Sequence, residues 1–110
     1  MNTQQIQEFR DNPIKKRQQG DVLIREVDCS TAGMKKVEGN VVASSSNPHT
    51  ISGGILYRDE ESQALFAVVD KKAKMMHREH KPVALPAGTH FIEPKVEIDF
   101  LSDMVRPVQD

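Results

Sequence analysis

The sequence has one cysteine, no tryptophan, one tyrosine and four phenylalanines, and nowhere a long apolar run. Each shortage excludes something. A lone thiol, Cys29, rules out an intrachain disulfide and reads as a reduced, structural residue. No stretch approaches the ~18 apolar residues that a membrane-spanning helix needs. The opening MNTQQIQEFRDNP lacks the apolar core of a signal peptide, so the expectation is a protein made in the cytosol without a standard export signal. A net charge of -1 provides no overall basic field for nucleic acid. So few aromatic residues also leave few faces on which bases could stack.

What remains, in 110 residues, is one domain with a modest core. Residues 1–20 read as a polar arm, and residues 21–110 as a single β domain. In the arm, Thr3 is the expected helix cap, Ile6 and Phe9 share a face at i, i+3, and Pro13 stops the helix after about two turns. So short a helix is marginal alone. Ile6 and Phe9, followed by the basic stem Lys15, Lys16 and Arg17, are therefore expected to dock onto a neighbouring molecule.

Beyond Gly20 the pattern is β. DVLIREVD (21–28) and VVAS (41–44) are strand-like, and ILYR (55–58) with QALFAVV (63–69) flanks a polar connector as a hairpin. KKAKMMHREH (71–80) has too little apolar content for a core helix and is read as extended or irregular. Pro86-Ala87-Gly88 predicts a tight turn opening a strand at THFI (89–92). KVEIDF (95–100) alternates strictly, as a strand with one wet face does. The expected fold is all-β: a small sandwich, jelly roll or barrel with the arm attached.

No residue set amounts to a recognisable catalytic site. Ser44, Ser45, Ser46, Ser52 and Cys29 lack a nucleophile-elbow setting, and Glu60-Glu61 reads as solvated hairpin charge. The four histidines, His49, His77, His80 and His90, with Glu79 or Glu93, offer an alternative: a divalent metal site of the kind β-barrels gather from separate strands. Against it, His77 and His80 in an extended segment point to opposite faces. Charge is uneven. Residues 70–81 hold Lys71, Lys72, Lys74, Arg78 and Lys81 against Asp70 and Glu79, five minus two or +3. Residues 91–110 hold two cations against five carboxylates, or -3, so opposite patches invite head-to-tail contact between copies. A nucleic-acid-binding module centred on Lys71 to Lys81 is a third, weaker reading.

Q-G-D-V (19–22), N-P-H-T-I-S-G-G (47–54) and H-R-E-H-K-P-V-A-L-P-A-G (77–88) together resemble a set of small bacterial and phage proteins of unknown function. Their pattern has a middle G-H-x-H and a later H-x-E-H-x-P-[IV]-x-L-P-x-G. The resemblance places His49 at the second middle histidine and His77 and His80 at the later pair, with Asn47 where the first would stand. L-P-A-G-T-H is similar to a cupin turn, although the first cupin half is missing. In architecture the chain is similar to the decoration, or staple, proteins of tailed-phage heads. That implies a non-enzymatic partner that self-associates, as a homodimer or higher, and clamps a larger protein assembly such as a capsid at the virion surface, without a cofactor.

Overall fold

The computed structural model describes residues 1–43 and 47–94 in full, and the backbone of 96–99 and 104–107. It is all-β apart from one helix, α1 (Thr3–Asp11). The strands are β1 (Lys15–Gln19), β2 (Val22–Val27), β3 (Lys35–Val37), β4 (Val41–Ala43), β5 (His49–Ser52), β6 (Ile55–Arg58), β7 (Leu65–Met76), β8 (Val83–Pro94), β9 (Val96–Asp99) and β10 (Met104–Pro107). No helix among the described residues is long and apolar enough to cross a membrane.

The long antiparallel pair β7–β8 is the spine. Its proximal half pairs Leu65–Val69 with Gly88–Ile92 and is extended by β2 and β1 on one side and by β6 and β3 on the other. The distal half pairs Lys72–Met75 with Val83–Pro86 and continues through β5 to β4. Between the halves the register slips at Val69/Lys72, a bulge that bends the sheet. Gly53 and Gly54, at φ +90° and +85°, carry the chain from β5 to β6 across this bulge. A Cβ at either would sit 3.0 Å from a β7 carbonyl oxygen, Lys72 O or Val68 O, so only glycine fits this crossing.

Bending lets one core serve both halves. Val22, Ile24, Leu65, Ala67 and Ile92 of the proximal half pack in one cluster with Ile51, Ala73, Met75 and Leu85 of the distal half. Pro86-Ala87-Gly88 is therefore not the expected turn: β8 runs through it. His90, wholly buried, donates from Nε2 to Pro86 O at 2.9 Å and fixes the bulge from inside. Of the other expectations, β2, the β6–β7 hairpin and the extended form of residues 71–76 are found where they were read. Ser44–Ser46, and the side chains on which the alternation of KVEIDF turns, lie outside the described residues.

The arm is corrected. Residues 1–20 are part of the domain, because the outer face of the proximal half is apolar and needs a cover. Asn2, not Thr3, caps α1, in a reciprocal box with Gln5 (both bonds 2.9 Å). Ile6, 6% exposed, then packs with half-buried Phe9 on Val27, Phe66 and Phe91 of the chain's own sheet. Arg10 pairs with Glu93 at 3.0 Å, and Glu93 also binds buried Arg25. Lys15 and Lys16 lie exposed on the edge strand β1, while Arg17 is paired with Glu26 at 3.0 Å. Burial of Ile6 and Phe9 needs no neighbour.

The Met1 amine closes this end on the β6–β7 loop, 2.8 Å from Asp59 and 3.0 Å from Glu61. That amine and the Ser62 hydroxyl hold the Asp59 carboxyl down at about 2. A depressed carboxyl contributes stability above its unfolded range near 3.8 and loses it as pH falls towards 2. Between pH 5 and 2 the native chain should therefore lose more stability than Asp59→Asn in paired urea melts; parallel loss would contradict the assignment.

Candidate functional site

Three sequence stretches far apart converge where the curled sheet closes on itself. The β1–β2 connection is a two-residue turn, Gly20-Asp21, with Gly20 at φ +56°. It places buried Gln19 and half-buried Asp21 against the start of β5 and the β7–β8 connection. His49 opens β5 and is 2% exposed; His77 follows the end of β7 and is also buried; His80 lies half-buried in the connection. The rings of His49 and His77 are 4.2 Å apart, those of His77 and His80 4.5 Å, and those of His49 and His80 6.1 Å and nearly parallel.

Hydrogen bonds fix the roles of these groups. Gln19 Nε2 donates to Met75 O at 2.9 Å and Lys81 O at 2.8 Å, so its Oε1 is the acceptor facing His49 Nδ1 at 3.0 Å. His49 Nδ1 therefore carries a proton. Its Nε2 faces Asp21 Oδ1 at 3.3 Å, an ion pair whenever the ring is charged. His77 Nε2 donates to Asn47 O at 2.9 Å, and its Nδ1 accepts from the Glu79 amide at 3.0 Å. Asn47 also reaches Glu79 Oε1 through its amide, at 3.4 Å. The result is a polar clasp joining β1, the β1–β2 turn, β5, the end of β7 and the β7–β8 connection.

Of the four histidines, the structure brings together His49, His77 and His80 and leaves His90 apart in the core beside the bulge, its Nδ1 buried without a hydrogen-bond partner among the described residues. Both nitrogens of His77 are occupied by backbone groups, so it could bind an ion only by breaking a bond. Among the described residues no three His, Cys, Asp or Glu side chains are placed to hold a metal ion. Burial pushes the half-buried Cys29 thiol up, away from the reactive thiolate.

Sequence reasoning missed Gln19 and Asp21 as partners of these histidines. The signal was present, since the Q-G-D-V, N-P-H and H-R-E-H stretches singled out together are the ones that meet. The expectation that His77 and His80 diverge fails because β7 ends at Met76, and period-two alternation ends with it.

A second feature lies on the outside of the distal half, which α1 does not cover. Alternation puts Ala73, Met75, Leu85 and Ile51 inward, so Lys72, Lys74 and Met76 of β7, Ala84 and Pro86 of β8, and Thr50 and Ser52 of β5 face outward. Across the register, Val41, Thr50 and Met76 form one row, Ser52, Lys74 and Ala84 a second, and Lys72 and Pro86 a third. No carboxylate occurs in these rows. Val41 is 47% exposed and Met76 36%. The face is basic and edged with exposed apolar side chains.

A protein-family model described as a domain of unknown function, DUF8820, matches residues 18–94. The match includes the whole clasp and the whole basic face, and leaves out α1 and the β9–β10 pair. No curated protein and no solved structure matches the chain.

Proposed function

The chain belongs to the DUF8820 family, and, as that family has no assigned function, we propose one from surface chemistry: a non-enzymatic structural protein that self-associates and binds a larger protein assembly, such as a phage capsid. The observation that carries this reading is the uncovered distal face. A wet sheet face on a lone domain mixes charges of both signs. This one presents Lys72 and Lys74 in rows that hold no carboxylate, along with exposed Val41 and Met76. Such a surface suits an acidic protein partner with some apolar character.

The edges argue for contact by a face. Outer strand β1 carries exposed Lys15 and Lys16, and β3 carries exposed Lys35 and Lys36. Lysines along an edge discourage strand addition. The clasp supports the same reading, since its imidazoles knit chain segments together.

Light scattering over a range of protein concentration and salt tests the proposal. The expected result is a mass above that of one chain, falling as salt screens the lysines. A single-chain mass at every concentration and salt would sink it.

A further inference from the structure

The occupant of the basic face can be named. β9 and β10 pair with each other, Val96 with Pro107 through Asp99 with Met104, in a two-stranded sheet separate from the main one among the described residues. A two-stranded hairpin is marginal in water unless it packs on something else. Its first strand alternates apolar Val96 and Ile98 with acidic Glu97 and Asp99, and Asp103 follows. The sequence from 91 to 110 carries -3, against +3 over residues 70–81. Among the described residues, the chain thus holds a basic, partly apolar sheet face without a cover and a hairpin of acidic, partly apolar sequence without a third strand.

We propose that the β9–β10 hairpin of one copy lies on the β4–β5–β7–β8 face of the next, the acidic sequence of the one answering the basic rows of the other. This rests on the self-association reading and specifies its interface. The contact joins two different surfaces, so it builds a ring or an open chain, or a two-fold dimer where two copies exchange hairpins reciprocally. Apolar contact at Val41 and Met76 contributes attraction, and the charges set register and partner choice.

Two charge-reversed variants of the full chain test it. Lys72→Glu/Lys74→Glu reverses the face at exposed positions, and Glu97→Lys/Asp99→Lys reverses the hairpin. Each variant alone should associate at least roughly tenfold more weakly, because like charges then meet. An equimolar mixture should regain the mass, since each reversed surface finds its complement on the other variant. If the native chain and both variants associate equally, or if mixing restores nothing, the hairpin is not the occupant and self-association uses another surface. If the native chain stays single under all conditions, the functional reading itself falls.

Discussion

Gln19→Leu should lower the stability of the domain by about 2–4 kcal/mol, although leucine nearly matches glutamine in volume and leaves little cavity. Gln19 is 3% exposed and makes three hydrogen bonds, two to backbone carbonyls and one to His49. Removing its amide takes a hydrogen bond from the carbonyls of Met75 and Lys81 and from His49 Nδ1–H together. A buried polar group without a partner costs about 1–3 kcal/mol, and water entering beside half-buried His80 recovers part of the total. Gln18→Leu is the control: Gln18 is exposed on the same strand, and the change there should stay within about 0.5 kcal/mol. Urea midpoints at constant m-value give both numbers. A Gln19→Leu loss below about 1 kcal/mol would mean that the clasp is hydrated and does not hold the curled sheet closed.

The clasp also shows where sequence reasoning stops. Hairpin β6–β7 was legible because alternation and a polar connector are local signals. Where α1 goes was not. Its apolar pair, Ile6 and Phe9, could be read from spacing, but the residues that receive it, Val27, Phe66 and Phe91, are scattered over the chain. One clue was local: Leu65, Phe66, Ala67 and Val69 are apolar on both faces of one strand, which demands a cover on each side. Pro86-Ala87-Gly88 misled for the opposite reason. Its local chemistry is that of a turn, and what keeps β8 extended through it is the pairing with β7 on either side of the bulge, which no local pattern shows. For the site, the histidines were visible as residue types. Their meeting depends on the two-residue turn at Gly20-Asp21 and on β7 ending at Met76, both set by pairing with distant strands.

Phe66→Ala should be costlier still, at about 3–5 kcal/mol. Phe66 has no exposed surface. Its ring lies 5.4 Å from that of Phe91 and meets Phe9 of α1 edge-on at 6.0 Å, while Phe9 and Phe91 are 6.2 Å apart. Truncation removes the middle of this aromatic trio and leaves a void beneath the helix. Besides the overall loss, amide exchange in Thr3–Asp11 should quicken more than in β5, because the helix loses its main seat while the distal half keeps its own core. Phe66→Leu refills much of the void and should fall between the native chain and the alanine variant on both readouts. A docked helix and a loose arm predict different outcomes here. If α1 were a loose arm awaiting a neighbour, Phe66 would already be partly wet, truncation would cost under about 1.5 kcal/mol, and helix exchange would not respond.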